Sequence, residues 1–247
     1  IAVVVHQEKS RPGRVGALLE QRGYQLQRFC PNLGCQLPRD LDDYAGVVVF
    51  GGGMSSNDEH LPFIRAELDW IPAVLAAGTP YFGICYGFQW AVVEFARGVA
   101  GLEHADSTEV TEDAPHKVIY KLRDLLGVDD LGGTMRLGSY ECQLTPGSLA
   151  ARLYGANVVH ERHRHRYEFN CLYEQALADK GMRISGRSPD GKFVEIAEIP
   201  DHPWFLAVQF HPEFKSKPTR PHPLFASFVE ASHRHKTGQV AAAGARA

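Results

Sequence analysis

The chain has 247 residues, of which 44% are hydrophobic and 22% charged, with a formal net charge of -3. That length and balance describe a globular protein able to bury a substantial core, as one large domain or two small ones. The slight acidity argues against a surface built for nucleic acid or an anionic membrane, and no apolar run approaches the ~20 residues that a membrane span needs.

Ile1 to Val5 is a continuous apolar run that predicts a buried strand, and no secretory leader is expected from it. Five cysteines, an odd number without framework spacing, predict reduced thiols and a cytoplasmic location. Cys30 and Cys35 have no second pair, so no metal site is expected there. Val15, Leu18 and Leu19 mark an amphipathic helix that ends near Gly23, and Tyr24 to Phe29 alternates weakly as a second strand. Gly46 to Phe50 reads as a buried strand. Gly51-Gly52-Gly53 follows it. Three glycines there make either a flexible turn or a loop whose N–H groups can approach a substrate closely; the spacing and lysine of a phosphate-binding loop are missing. Pro62 opens a helix through Leu75, and Gly78-Thr79-Pro80 leads into the next strand.

That strand runs into Gly83-Ile84-Cys85-Tyr86-Gly87, after which Trp90, Ala91, Val92, Val93 and Phe95 follow a helical pattern. Strand, sharp turn and helix make a nucleophile elbow with cysteine as its nucleophile. The turn is so tight that Cβ atoms two residues before and after Cys85 would collide, which explains both glycines. At the start of the helix, unpaired amides and the positive dipole end favour an anionic sulfur. A second apolar strand, Phe205 to Phe210, leads to His211-Pro212-Glu213. In an extended chain residues two apart share a face, so His211 and Glu213 are expected in line behind Cys85 as base and orienting carboxylate.

Strands alternating with helices imply an α/β fold: a mainly parallel, doubly wound sheet with flanking helices and added antiparallel strands. In such sheets chemistry lies beyond the carboxyl ends of the strands, where the triple glycine and Cys85 fall. Past the elbow helix, Gly101 to Thr111 is polar, Asp124 to Gly133 reads as a loop, and Thr134 to about Leu144 as a strand. Glu161-Arg162-His163-Arg164-His165-Arg166-Tyr167-Glu168 is the most charged stretch. It reads as a solvated strand; a nucleic-acid patch is disfavoured by its shortness and its few aromatic neighbours, and a metal site at His163 and His165 by the lack of a clear carboxylate or cysteine partner. A helix over Tyr173 to Asp179, strands over Met182 to Ser185 and Phe193 to Ile199, and a helix over Pro223 to His233 complete the fold. The alanine- and glycine-rich end is expected to fray, leaving residues 1–236 as one domain and 237–247 as a flexible tail.

Gly83 to Gln89 together with His211-Pro212-Glu213 resembles the class I glutamine amidotransferases. From about Tyr81 to Ser232 the resemblance narrows to the glutaminase domain of CTP synthases. Glu94 to Arg97, Ala105 to Glu109, Leu131 to Gly138, Glu161 to Glu168 and His202 to Phe205 carry it. Residues 1–80 look more like stand-alone or GMP-synthase-type members, because the loop at Gly51 to Ser56 departs from the CTP synthase pattern; a seam is expected near residues 79–82. The resemblance implies a flavodoxin-like core with Cys85 as nucleophile, His211 as general base and then acid, and Glu213 as orienting carboxylate. It implies an oxyanion hole from Gly52 and the amide of Tyr86, and a glutamine site from Gly52, Tyr86, Gly87, Phe88, Gln89, Glu109 and Arg166. It further implies hydrolysis of L-glutamine to glutamate and ammonia without a cofactor or metal in this domain. ATP, UTP and Mg²⁺ would belong to a synthase or amidoligase domain or subunit that uses the ammonia to turn UTP into CTP, and nothing in this chain resembles that domain. A γ-glutamyl hydrolase on the same scaffold and a non-catalytic binding module are the alternatives.

Overall fold

The computed structural model describes residues 1–9, 13–52, 62–122, 135–217 and 219–238. The triple glycine beyond Gly52, the expected loop at 124–133 and the tail from residue 239 lie outside these. One sheet of nine strands runs in the order β2-β1-β3-β4-β12-β11-β10-β7-β8. Its first half comprises β1 (Ala2–Val4), β2 (Gln27–Phe29), β3 (Val47–Val49), β4 (Tyr81–Ile84) and β12 (Phe205–Val208), all parallel. The other half adds β11 (Val194–Glu198), β10 (Arg183–Arg187), β7 (Arg136–Leu144) and β8 (Val158–His165), each antiparallel to its neighbour. A second sheet holds β5 (Ala105–Ser107), β6 (His116–Lys121) and β9 (Tyr167–Phe169).

The parallel strands other than β2, which lies at the sheet edge with Gln27 and Arg28 exposed, are buried on both faces, and their side chains divide with period two. Ala2, Val4, Val47, Val49, Tyr81, Phe205 and Ala207 join one core with helices α2 (Pro62–Ala76) and α3 (Tyr86–Gly98). Val3, Val5, Val48, Phe82, Ile84, Leu206 and Val208 join the opposite core. That second core packs under α1 (Gly13–Gln21), α4 (Leu149–Tyr154) and α6 (Pro223–Lys236). A short α5 (Glu174–Ala178) packs beside β10. The expected fold class is therefore the one observed.

Three details differ from the sequence expectations. The strand ending at the histidine stops at Val208, and Pro212–Phe214 is a 3₁₀ turn with proline, which has no N–H for a strand ladder, at its first position. The polar stretch after the elbow helix contains β5, held by Arg97, whose guanidinium bonds Glu94 at 2.9 Å, Asp106 at 2.9 Å and the Ala105 carbonyl at 2.6 Å. The charged run at 161–168 is no solvated strand: Glu161, His163, His165 and Glu168 are all buried, while Arg162, Arg164 and Arg166 face outwards.

Candidate active site

The register of the parallel strands brings the site together. Val49 pairs with Gly83, and Ile84 with Val208, so β3, β4 and β12 end level with one another. The next residues, Gly51-Gly52, Cys85 and Gln209 to His211, therefore meet beyond one edge of the sheet. Cys85 has φ 55 and ψ -96, a left-handed conformation rare for a residue with a side chain. A Cβ on Gly83 would lie 2.5 Å from the Gly87 carbonyl oxygen, and one on Gly87 would lie 2.6 Å from the Val49 oxygen, so both elbow glycines are required by backbone contact. The Tyr81 hydroxyl donates to the Gly87 carbonyl at 2.8 Å and locks the turn. Cys85 is the N-cap of α3 without spending its side chain on a cap hydrogen bond, so the sulfur is left for chemistry.

His211 Nδ1 meets Glu213 Oε1 at 2.7 Å. The alignment arises from the 3₁₀ turn rather than from an extended chain. Its Nε2 is buried with no hydrogen-bond partner. Burial alone would lower the pKa of the ring, but the neighbouring Cys85 and Glu213 raise it to about 10. The ring is thus an imidazolium at neutral pH, beside the sulfur and oriented by a carboxylate. A Cβ on Gly51 would come within 3.2 Å of both Cys85 Cβ and His211 Cε1, so the glycine loop lies directly against this pair.

A cavity of about 320 Å³ opens over the sulfur, lined by Gly52, Cys85, Tyr86, Gln89, Glu109, Met135, Arg164, His165, Arg166 and Tyr167. That is the low end of small-molecule sites and suits a single amino acid. Five of the seven residues expected around glutamine line it: Gly52, Tyr86, Gln89, Glu109 and Arg166. Phe88 instead turns into the core, and Gly87 packs on Val49. Glu109 and the Tyr86 hydroxyl share a hydrogen bond, and burial followed by that carboxylate pushes the Tyr86 phenol well above its usual range. The Ser107 hydroxyl accepts from the Glu109 amide at 3.0 Å and so fixes the loop that presents the carboxylate.

Gln89 has a second engagement that its sequence position does not reveal. Its Nε2 donates to the Tyr167 carbonyl and to Gln209 Oε1, both at 3.3 Å, and Gln209 Nε2 points at the Cys85 sulfur at 3.9 Å. Gln209 is fully buried. A lone amide at the end of an otherwise apolar strand was its available signal.

The inward residues of β8 form the wall behind Arg166. Arg136 bonds Glu195 at 2.7 Å and Glu168 at 3.5 Å, Glu195 faces His163 at 3.3 Å, and His163 Nδ1 meets His165 Nε2 at 2.8 Å. His165 Nδ1 in turn meets the Tyr167 carbonyl at 3.0 Å and Glu168 at 3.4 Å, which closes a ring. Burial drives both histidines to the neutral form, His165 to about 3, and raises Glu195 to about 7 and Glu168 well above the usual carboxylate range. Carboxylate neighbours of His163 and His165 therefore exist, contrary to the sequence expectation. Yet the described residues contain no group of three or more His, Cys, Asp or Glu arranged to hold a metal. No described helix is long and apolar enough to cross a membrane.

The family model for class I glutamine amidotransferases matches residues 18–231. CTP synthase of Rubrobacter xylanophilus is 64% identical over 155 residues, covering 63% of this chain and 28% of that protein. CTP synthase of Acidobacterium capsulatum is 60% identical over 197 residues, covering 80% of this chain and 35% of that protein. The chain thus spans about a third of the length of these relatives. Among solved structures, the glutaminase domain of Trypanosoma brucei CTPS with bound acivicin superposes with a TM-score of 0.76 at 28% identity, over 94% of this chain and 93% of that one. A glutamine amidotransferase of Thermotoga maritima shares the fold, with a TM-score of 0.61 at 16% identity over 97% of this chain and 96% of that one. With a cysteine elbow, a histidine and a glutamate assembled at the ends of three adjacent parallel-strand connections, and a family model spanning most of its length, the chain belongs to the class I glutamine amidotransferases.

Proposed function

We propose that this chain hydrolyses L-glutamine to glutamate and ammonia through a thioester on Cys85, as the glutaminase part of a CTP-synthase-type enzyme. The observation that carries the reading is that the left-handed Cys85 and His211, itself held 2.7 Å from Glu213, both pack against Gly51. Glu109 suits the α-ammonium of the substrate, and the Arg166 guanidinium suits its α-carboxylate. The Cys85 thiolate attacks the side-chain amide carbon, and the carbonyl oxygen gains the negative charge, facing the amides of Gly52 and Tyr86. The tetrahedral species collapses, the C–N bond breaks, and His211 gives its Nε2 proton to the departing ammonia. Water, deprotonated by the now neutral His211, then attacks the thioester, releases glutamate and returns Cys85 as thiolate beside the imidazolium.

These steps use no cofactor or metal within this chain. The large share of the relatives that lies outside it fits a synthase domain that aminates a nucleotide, UTP to CTP, with ATP and Mg²⁺. A cytoplasmic location accords with five free cysteines among the described residues.

The deciding experiment is glutamine turnover by the purified chain and by Cys85→Ser. The expected loss is at least ~10³-fold in kcat with unchanged circular dichroism, and labelled glutamine should leave a thioester only on the parent. Serine that retains full activity removes Cys85 from its role. Faster cleavage of γ-glutamyl peptides than of glutamine would move the assignment to a γ-glutamyl hydrolase.

A further inference from the structure

Under the glycine loop the parallel half of the sheet buries an ion pair. His6 follows the carboxyl end of β1, and Glu67 lies on α2. His6 Nε2 sits 2.9 Å from Glu67 Oε2 and 3.2 Å from Oε1, with the two residues 2% and 1% exposed. Burial disfavours a charged imidazole here. Glu67 outweighs it, with help from the Phe50 and Gly51 backbone, and the pKa of His6 is raised above its usual value.

A buried ion pair is a poor way to gain stability, since apolar replacements of similar volume are often neutral or better. Its placement points elsewhere. A Cβ on Gly52 would lie 2.9 Å from His6 Cβ and 3.1 Å from Cγ, so the loop rests directly on the histidine. From the other side the same loop is pressed against Cys85 and His211 through Gly51. The His6 and Tyr86 rings stand 5.8 Å apart, so the histidine touches the surroundings of both amides that face the developing oxyanion. Hydrogen-bond donors stabilise a transition state only when they are held in place before the charge appears. A free glycine pair has the least intrinsic reason to stay in place.

We propose that His6 and Glu67 are positioning residues for the oxyanion hole: the pair, clasped beneath the Gly51–Gly52 loop, fixes that loop against the nucleophile where the oxygen becomes negative. The inference rests on the glutaminase reading above.

Glu67→Gln tests it, because it keeps the volume and a hydrogen bond while removing the carboxylate that clasps His6 through both oxygens. Two rates are compared with the parent chain: glutamine turnover, and alkylation of Cys85 by iodoacetamide, which needs the thiolate but forms no oxyanion. The expected result is a fall in kcat on the order of 10- to 100-fold, with KM and the alkylation rate each within about twofold. Unchanged kcat overturns the inference. So does a parallel fall in alkylation, which would mean that the whole site has collapsed. Should Glu67→Gln fail to fold, His6→Gln is read in the same way, and failure of both to fold assigns the pair to stability alone and overturns it too. A parent chain that turns over no glutamine defeats the glutaminase reading itself, a result distinct from an active parent whose variant is fully active.

Discussion

The strands β1, β3 and β4 bury chemistry opposite to that of β8, the His6–Glu67 pair of the parallel half lying beyond the end of β1. In β1, β3 and β4 every buried side chain is apolar, and each strand feeds both cores by simple alternation. In β8 the inward positions are Glu161, His163 and His165, and the outward ones carry Arg162 and Arg164. The first half is held by area removed from water, so its losses come in increments. The second is held by mutual pairing, and each member of the ring around Arg136 is tolerable inside only because of the next. The catalytic pair sits where these halves meet, Cys85 arriving on apolar β4 and His211 from β12, whose other neighbour β11 contributes Glu195.

The sharpest test of this contrast is to remove the one permanent cation of the ring. Arg136→Met leaves Glu168 and Glu195 facing each other without compensation, and should cost about 3–5 kcal/mol in urea denaturation. A cost below about 1 kcal/mol would show that the ring is not held by pairing. The pH dependence gives a finer probe. His163 and His165 are neutral when folded, with their ordinary pKa near 6.5, so below that pH the unfolded chain binds protons that the folded one refuses, and stability falls. Glu195 is raised from 4.5 to about 7, so across that interval the folded chain holds a proton that the unfolded one lacks, and stability rises as pH falls. In the parent these trends oppose each other. Glu168 is raised too and acts in the same sense, so Glu195→Gln removes only its own share, and stability should then fall more steeply between pH 6.5 and 5, by up to about 1.4 kcal/mol per pH unit. An unaltered slope would place the proton elsewhere. In the apolar half, Ile84→Val trims one methyl group and should cost only about 1 kcal/mol, with little dependence on pH. A pH-dependent cost there would break the division altogether.

The same contrast explains what the amino-acid sequence reveals. The strands β1, β3, β4 and β12 are legible because both of their faces are apolar, and the elbow because Gly83 is demanded by a contact four residues away, although Gly87 answers to Val49 on the neighbouring strand. His211 and Glu213 are legible as types, while the 3₁₀ turn that aligns them opens on Pro212, beyond the end of the strand. The burial of β8 was not legible: alternation of charged with charged carries no hydropathy signal, and the partners of His163 and His165 come from β7, β9 and β11. The small sheet was missed for a related reason, since β6 buries only Val118 and Ile119 among polar neighbours. His6 and Glu67 are 61 residues apart, and only the fold brings them together. Gln209 hides in the strand that announces His211.

The left-handed backbone at Cys85 has a consequence for how long the protein lasts. Every other described residue with positive φ is glycine except His104, and a side chain held in a sparsely populated region costs on the order of 1–3 kcal/mol. A chain with glycine at position 85 would shed that penalty while losing its reactive atom, so the catalytically dead molecule should be the longer-lived of the two.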